Sequence, residues 1–344
     1  MEEAKPVPNF SLRGLNTFGL DVRCRAYYHI TSEAQLETLV AQGVFSAGNK
    51  FLLLGGGSNL LFVNDFFDGV VVHLDLKGRD VRYIDEDYAL LTAAAGENWH
   101  QTVLYALEQN LGGIENLSLI PGNAGTAPVQ NIGAYGVEIC EVLSHVEGID
   151  LMTGEKRVLS TNACGFGYRD SVFKRNLKGR FAITSIAMRL TRRKHQLRTH
   201  YGTIADELQK AGVISPTIHD ISRAVIAIRS SKLPDPAVLG NCGSFFKNPV
   251  VAVDIASELK QRYPDMPTYS AKEGVKIPAG WLIEKASWKG KRIGNVGMHE
   301  RQALVLVNYG DATGAELWAH ACRVMDDVRE KFGIVLQPEV NVVE

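Results

Sequence analysis

Short apolar runs and amphipathic stretches alternate along the whole chain, with neither a regular strand–helix period nor an internal repeat. Apolar runs predict strands at 51–54, 70–74, 89–95 and 180–190. Helical spacing predicts helices over 33–40, 98–110, 219–230, 254–263, 279–286 and 315–333. A hairpin is expected around 153–155, and a closing strand over 334–343. We expect Thr31 or Ser32 to cap the first helix and Gly333 to end the last. The pattern therefore predicts a mixed α+β fold.

Size and charge narrow the class of protein. The chain has 344 residues, of which 45% are hydrophobic and 22% charged, and its formal net charge is -1. This composition is typical of a folded soluble protein with two or three lobes, because a single core stops growing near about 250–300 residues. A near-neutral balance provides no general field for nucleic acid or anionic lipid, so neither is an expected partner. The sequence carries no secretory leader and no membrane-spanning apolar run, which predicts a cytoplasmic protein.

The cysteines give no sign of a metal or disulfide framework. All five are far apart, with no C-x-x-C pair and no histidine at zinc-ligand spacing. They are expected to be reduced thiols that mostly serve in packing, and no metal site is predicted.

Two glycine-rich segments are candidates for ligand binding: Gly55-Gly56-Gly57-Ser58-Asn59, directly after the 51–54 strand, and Pro121–Gly136. The second holds four glycines, two prolines and no charged residue, so backbone amides and small side chains would hold its ligand. A phosphate cradle is the functional interpretation, and a pair of tight turns is the alternative. Neither segment carries G-x-x-x-x-G-K-[ST] or G-x-G-x-x-G, so a dinucleotide would require a fold other than the Rossmann type.

Two charged positions are candidates for catalysis, each with a plainer interpretation. Arg169, in FGYRDS, has a planar guanidinium that suits a carboxylate, while an ion pair with the adjacent Asp170 is the ordinary expectation. Glu339 is expected on the polar side of the closing strand, where a carboxylate is normally just solvated.

Ser244 and Lys247 spell S-x-x-K, the nucleophile motif of penicillin-binding enzymes and β-lactamases. That motif acts on a helix, whereas two Phe, a Gly pair and Pro249 favour an extended segment here. In it, Ser244, Phe246 and Asn248 would share one side and Lys247 would point to the other. The companion S-D-N and K-T-G motifs are absent, so acyl transfer is rejected. Ser244 remains either a proton donor or a turn serine.

Taken in order, eight motifs resemble those of the UDP-N-acetylenolpyruvoylglucosamine reductase (MurB) family: NTFG, GGGSN, PGNAGTAPVQNIGAYG, FGYRDSVFK, SSKLPDP, GSFFKNP, AGWLIE and a terminal PEV. The resemblance runs from Asn16 to Glu339. It implies the FAD-binding fold of the vanillyl-alcohol oxidase type, in two subdomains, plus a C-terminal α+β substrate-binding domain. The expected bounds are 1–76 and 77–215 for the subdomains, with a lid segment near 195–210, and 216–344 for the C-terminal domain. The last helix and strand pack either on that domain or on the first subdomain.

This resemblance implies an NADPH-dependent reduction of UDP-N-acetylglucosamine enolpyruvate to UDP-N-acetylmuramate, for peptidoglycan synthesis. NADPH would reduce FAD, and the flavin N5 would then deliver hydride to the vinyl carbon. Arg169 and Glu339 match the family's catalytic arginine and glutamate, which would stabilise an enolate, and Ser244 matches the family's proton donor. A serine hydroxyl is a poor acid, so it protonates only a strongly basic centre, which an enolate provides.

The same resemblance implies noncovalent FAD and a set of contacts to it. The implied cofactor positions are Gly55, Gly56, Gly57, Ser58, Asn59, Pro121, Gly122, Gly125, Ala127, Gln130, Asn131, Gly133, Ala134, Tyr135 and Gly136. The implied substrate positions are Tyr168, Tyr201, Lys232, Asn248, Tyr269, Lys289 and Gln302. Tyr201 lies in an extra segment, THYGTI, that resembles the family's subgroup with a tyrosine lid. A monomer is expected, with the small-molecule substrate as its partner.

Two rival interpretations stay open on the same flavin fold. A sugar or alcohol oxidase would reduce O2 quickly and need no NADPH. A flavin-binding scaffold without catalysis would show no functional effect of replacing Ser244.

Overall fold

The computed structural model describes residues 4–344. In these residues the α-helices are α1 Glu33–Ala41, α2 Trp99–Glu108, α3 Ile204–Lys210, α4 Ile218–Lys232, α5 Val253–Arg262, α6 Ala279–Lys285 and α7 Gly314–Phe332. The strands of the N-terminal part are β1 Val7–Ser11, β2 Arg23–Ile30, β3 Phe51–Leu54, β4 Leu60–Phe62, β5 Phe66–Leu74, β6 Arg79–Tyr83, β7 Tyr88–Ala94, β8 Gly133–Ala134, β9 Val137–Glu138, β10 Leu143–Asp150, β11 Lys156–Ser160 and β12 Phe181–Thr191. The later strands are β13 Gly240–Ser244, β14 Val250–Val251, β15 Tyr269–Ala271, β16 Gly274–Lys276, β17 Arg292–Ile293, β18 Val296–Met298, β19 Val305–Asn308 and β20 Asn341–Val343.

The chain divides into two compact units. The first contains the described residues up to Phe10, together with Cys24–Gly56 and Asp68–Ser231. The second contains Ser11–Arg23, Gly57–Phe67 and Lys232–Glu344. Each unit is therefore assembled from three separate stretches, and the division crosses the first glycine segment between Gly56 and Gly57.

The first unit holds two main sheets, ordered β1-β2-β5-β3 and β11-β10-β12-β7-β6. Strand β12 is apolar and almost wholly buried because it occupies the centre of the second sheet, between β10 and β7. Helix α2 supplies Trp99 and Val103 to the core that includes this strand. Strand β3 pairs in parallel with β5, and its carboxyl end leads directly into the first glycine segment.

The second unit is built around the sheet β13-β19-β18-β17, with a smaller sheet β14-β16-β15. Helix α7 packs on β18, β19, β4 and α6. A capping box starts this helix: the Thr313 hydroxyl accepts from the Glu316 N–H at 3.2 Å, and the Glu316 carboxylate accepts from the Thr313 N–H at 2.7 Å. Gly333 ends it in the left-handed conformation, as predicted. Strand β20 pairs in parallel with β4, Asn341 opposite Leu60 and Val343 opposite Phe62.

The structure confirms the predicted helices and the 144–160 hairpin, but the predicted closing strand is wrong over most of its length. Only Asn341–Val343 form a strand. Pro338 has no N–H to donate to a sheet and makes a single isolated bridge, with Phe246. Glu339 consequently lies at a bend before β20 and is half-buried, so it is not on a strand face as predicted.

Candidate active site

The two glycine segments meet within the first unit. A Cβ added at Gly55 would lie 2.5 Å from Cγ2 of Thr126, and one added at Gly56 would lie 2.8 Å from Oδ1 of Asn123. Real side chains do not tolerate these distances, so both positions require glycine for the segments to approach. The sequence pattern left a cradle or tight turns open; the structure shows two loops packed together.

In the second unit, Gly57 continues the first segment with φ +62°. A Cβ there would lie 2.0 Å from the carbonyl oxygen of Leu15, and the Thr17 N–H donates to the Gly57 carbonyl at 3.2 Å. The Thr17 hydroxyl oxygen is buried and finds no hydrogen-bond partner within residues 4–344. A buried hydroxyl of this kind normally has a partner, so it is available to a ligand of this loop.

The 121–136 segment is held in place by backbone hydrogen bonds. The Ala124 N–H donates to the Glu97 carbonyl at 2.8 Å, and the Gly125 N–H donates to the Ala95 carbonyl at 3.0 Å. Asn131 is buried, and its side chain donates to the Glu138 carboxylate at 2.8 Å. These hydrogen bonds join the loop to the turn that follows β7 and to β9.

Arg169 is held by this loop. Its guanidinium donates to the carbonyls of Gly133 at 2.7 Å and Asn131 at 3.3 Å. Asp170 forms an ion pair with Arg175. The backbone of Arg169 has φ +52°, in the left-handed region that non-glycine residues seldom adopt.

Ser244 and Glu339 lie on adjoining backbone segments of the second unit. The Glu339 N–H donates to the Phe245 carbonyl at 2.7 Å, and the Lys247 N–H donates to the Gln337 carbonyl at 2.9 Å. Ser244 is exposed, whereas Phe245 and Phe246 are both fully buried. The predicted side-chain alternation is wrong, because the consecutive residues Phe245 and Phe246 are both buried while Ser244 is exposed.

Glu339 also affects a buried thiol of the same unit. Burial raises the pKa of the Cys242 thiol, and the negative charge of Glu339 raises it further. Cys242 is therefore a neutral side chain and not a reactive thiolate. All five cysteines are free thiols, as predicted, and three of them are buried.

The candidate substrate residues are mostly exposed and lie on several elements. Lys289 forms an ion pair with Glu284 at 3.1 Å. The Asn248 amide oxygen accepts from the Ala279 N–H at 2.9 Å, at the start of α6, and the Gln302 amide oxygen accepts from the Leu304 N–H at 3.4 Å. Lys232, at the end of α4, and Tyr168, Tyr201 and Tyr269 expose their side chains.

Tyr201 rests against the end of the second glycine segment, within the first unit. A Cβ added at Gly136 would lie 3.2 Å from Cδ2 of Tyr201, so the ring occupies the space that a side chain would need. Gly136 itself has φ +79°. The segment carrying Tyr201 then continues into α3.

Arg229 is a further charged residue beside these loops, and the sequence analysis did not single it out. Its guanidinium donates to the Leu119 carbonyl at 3.2 Å, and burial lowers its pKa from the usual value. Together with burial, its charge lowers the pKa of His100. Its position on α4 could have indicated a role. Arg229 follows the buried Val225 by four residues, so it lies on the same face of the helix.

Residues 4–344 contain neither a metal-binding cluster nor a membrane-spanning helix. No group of three His, Cys, Asp or Glu side chains is arranged to hold a metal ion. No helix in that range is long and apolar enough to cross a membrane.

Two family profiles match this chain and indicate its class of protein. A family profile described as FAD binding domain matches residues 25–162, and both glycine segments lie inside that range. A second profile, of the UDP-N-acetylenolpyruvoylglucosamine reductase C-terminal domain, matches residues 235–343. The fold and these loops define an FAD-dependent oxidoreductase with a separate C-terminal domain.

Similar full-length proteins define the family. The UDP-N-acetylenolpyruvoylglucosamine reductase of Chromobacterium violaceum is 52% identical over 330 residues, covering 95% of this chain and 96% of that protein. The corresponding proteins of Flavobacterium johnsoniae and Pseudomonas aeruginosa are each 47% identical, over 97% and 96% of this chain and 98% and 97% of their own lengths. The chain belongs to the UDP-N-acetylenolpyruvoylglucosamine reductase family.

A crystal structure of the Thermus caldophilus reductase of that name has the same fold, with a TM-score of 0.66 at 21% identity and full coverage of both chains. The family, the fold class and the use of FAD predicted from the motifs are thereby confirmed.

The residues present fit FAD. The second glycine segment is uncharged, and its backbone adopts positive φ at Gly122, Tyr135 and Gly136, a conformation that turns N–H groups toward one side. The Thr17 hydroxyl, buried beside Gly57 with no partner in the described part of the chain, is suited to a hydrogen bond from or to the cofactor.

Proposed function

We propose that this chain reduces UDP-N-acetylglucosamine enolpyruvate with NADPH to give UDP-N-acetylmuramate. The observation that carries the proposal is the pairing of the Ser244 and Glu339 segments, which brings an exposed hydroxyl and a carboxylate from distant stretches to one place in the second unit. The names of its relatives, UDP-N-acetylenolpyruvoylglucosamine reductases, agree with this substrate.

When bound, FAD supplies the hydride that NADPH delivers to it. The side chains of the protein then stabilise the negative charge that develops on the substrate and supply the proton that completes the reduction. Hydride addition to the vinyl carbon leaves negative charge on the adjoining carbon, which spreads into the carboxylate as an enolate. Arg169 stabilises this charge with its guanidinium, which two loop carbonyls hold in a fixed orientation. Glu339 hydrogen-bonds the enolic group.

Ser244 gives its proton to the enolate carbon and so creates the lactyl stereocentre. The exposed position of its hydroxyl leaves it accessible to a substrate, while the buried Phe245 and Phe246 anchor the backbone that follows. Because the enolate is strongly basic, an ordinary hydroxyl is acidic enough for this step.

The remaining candidate residues bind the nucleotide part of the substrate. Lys232 and Lys289 provide positive charge for the diphosphate, and Asn248, Tyr269 and Gln302 provide hydrogen bonds. Tyr201 covers the substrate and excludes water from the enolate.

Anaerobic stopped-flow spectroscopy tests the proposal in two steps. NADPH should bleach the flavin absorbance band, and UDP-N-acetylglucosamine enolpyruvate should restore it. Reduced protein that is insensitive to this substrate but turns over rapidly with O2 would be an oxidase instead. A Ser244→Ala variant that matches the unmodified chain in both steps would leave only a flavin-binding scaffold.

A further inference from the structure

The strand that carries Ser244 contains one extra residue just before it. In the β13–β19 pair, Asn241 lies opposite Val307 and Ser244 lies opposite Val305. Ser244 is therefore three residues beyond Asn241 on β13, whereas their partners on β19 are only two residues apart. Gly243 absorbs the extra residue at φ +73°. A bulge of this kind redirects the next side chain, and here the redirected side chain is the exposed Ser244.

The buried side chain of Asn241 holds this bulge together. Its amide oxygen accepts from the Gly243 N–H at 2.9 Å, inside the bulge. Its amide nitrogen donates to the carbonyls of Leu239 at 2.8 Å and Pro234 at 3.1 Å. The residue is 2% exposed, so water does not compete for these bonds.

The backbone of Asn241 connects the bulge to the first glycine segment. Its N–H donates to the Thr17 carbonyl at 2.9 Å, and the Thr17 N–H donates to the Gly57 carbonyl at 3.2 Å. One residue of the NTFG motif therefore links the Ser244 strand to the loop that follows Gly56, all within the second unit.

We infer that Asn241 is a positioning residue for Ser244: its carboxamide fixes the β13 bulge and thereby the direction of the proton-donating hydroxyl. This inference rests on the proposed function, since it assigns Asn241 a role in the protonation step. A residue that only supports the fold would affect both half-reactions when it is replaced. Replacing Asn241 should affect only the second half-reaction, because only that step depends on the direction of the Ser244 hydroxyl.

Asn308 provides a matched control in the same sheet. It is 8% exposed, its amide nitrogen donates to the Phe18 carbonyl at 2.9 Å, and its amide oxygen accepts from the N–H groups of Gly310 and Ala312 at 2.9 and 3.2 Å. Replacing either asparagine by alanine removes a buried carboxamide that makes three hydrogen bonds, but only that of Asn241 bonds to the bulge.

The first experiment compares Asn241→Ala with Asn308→Ala in the anaerobic assay. For Asn241→Ala we expect flavin bleaching by NADPH within about twofold of normal and reoxidation by the enolpyruvyl substrate slowed at least about tenfold. The solvent deuterium isotope effect on reoxidation should rise, since proton transfer becomes slower. Asn308→Ala should retain both rates within about threefold.

A structural readout accompanies the rates. Hydrogen exchange of the 240–246 segment, measured without substrate, should accelerate in Asn241→Ala because the Gly243 N–H loses its acceptor. The hydrogen-exchange rate of this segment should be unchanged in Asn308→Ala. Equal loss of both half-reactions in Asn241→Ala, or the same selective loss in Asn308→Ala, would overturn the inference.

A second pair of variants decides the matter if Asn241→Ala does not fold. Gly243 and Gly294 have φ +73° and +60°, and an added Cβ meets nothing within 4 Å at either position. Gly243→Ala and Gly294→Ala therefore impose similar backbone strain, but only the first disturbs the bulge. Selective slowing of reoxidation in Gly243→Ala alone supports the inference, and equal behaviour of the pair overturns it.

The unmodified chain separates this inference from the proposed function. If its flavin is not bleached by NADPH, or its colour does not return with substrate, the proposed function fails and the role of Asn241 fails with it. If the unmodified chain performs both steps and the variants show no selective loss, only the inference is overturned.

Discussion

Arg169 combines a strained backbone with a side chain that two carbonyls hold. Replacing it by lysine keeps the charge but loses the planar fork that reaches Gly133 and Asn131 together. We expect Arg169→Lys to slow reoxidation by the enolpyruvyl substrate about 100-fold or more while NADPH still bleaches the flavin normally. Stopped-flow absorbance measures both rates. Arg175→Lys is the control, since Arg175 pairs with Asp170; comparable losses in the two variants would argue against a specific role for Arg169.

His320 gives a prediction about pH and stability. It is 2% exposed, neither ring nitrogen has a hydrogen-bond partner within residues 4–344, and Trp288 packs edge-on against the ring. Burial, together with the charges of Arg323 and Lys291, lowers its pKa from 6.5 to about 4. As the pH falls below 6.5 the unfolded chain therefore takes up a proton first, and the folded chain resists protonation until about pH 4.

The stability that His320 contributes is thus complete above about pH 6.5 and is lost as the pH falls toward 4, with a slope of at most about 1.4 kcal/mol per pH unit. Urea unfolding at several pH values measures the slope. The His320→Phe variant should lose this component. An identical pH dependence in the variant would place the acid sensitivity elsewhere.

At the scale of single residues, the motifs identified Arg169, Ser244 and Glu339, but not what surrounds them. The hydrogen bonds from Arg169 to the carbonyls of Gly133 and Asn131 could not be predicted, because Arg169 has a positive φ that a non-glycine residue seldom adopts. The half-buried guanidinium of Arg229 was equally hard to predict, because arginine is mostly exposed and the position of Arg229 on α4 was the signal available.

Among the elements, the tyrosine-bearing segment depends on a single glycine. Gly136→Ala would place a Cβ 3.2 Å from the Tyr201 ring and displace it. We expect the KM for the UDP-sugar to rise about threefold to tenfold, which corresponds to roughly 0.7–1.4 kcal/mol of lost binding. Steady-state kinetics measure the effect. Gly212→Ala, with φ +69° and open space around it, imposes the strain without the displacement and should leave KM unchanged.

Element prediction succeeded where one periodic pattern dominated. Helix α7 combines a capping box, an apolar stripe and a glycine stop, and these local signals agree. The 334–343 run failed because apolar content alone does not show which neighbour a strand will pair with, and Pro338 limits pairing to one bridge. The bulge in β13 was invisible for the same reason: it is defined by the register against β19.

For the whole molecule, the last strand completes the surroundings of the first glycine segment. The backbone and side-chain nitrogens of Asn341 both donate to the Asn59 carbonyl at 3.1 Å. A chain ending at Val340 should therefore release FAD more readily, with an apparent affinity at least about tenfold lower, or roughly 1.4 kcal/mol. Flavin fluorescence after dilution measures release. A chain lacking only Glu344 is the control, and unchanged retention in the shorter chain would contradict the expectation.

The composition of the two units shows where sequence reasoning ends. Contiguous domains at 1–76, 77–215 and 216–344 follow from reading the chain in order and stay predictions. The second unit instead takes Ser11–Arg23 and Gly57–Phe67 from the N-terminal part. Such an assembly is set by pairings between distant strands, such as β20 with β4, whose partners no local pattern specifies.

The pairing of β20 with β4 also has a consequence for biosynthesis. A ribosome makes the chain from its N-terminus, so Leu60–Phe62 emerge from the ribosome long before Asn341–Val343, with which they pair. The loop leading into β4 therefore lacks part of its environment until Asn341–Val343 have been synthesised. Firm binding of the flavin is accordingly an event that follows synthesis of Asn341–Val343, and the nascent chain holds the cofactor only weakly until these residues have paired with β4.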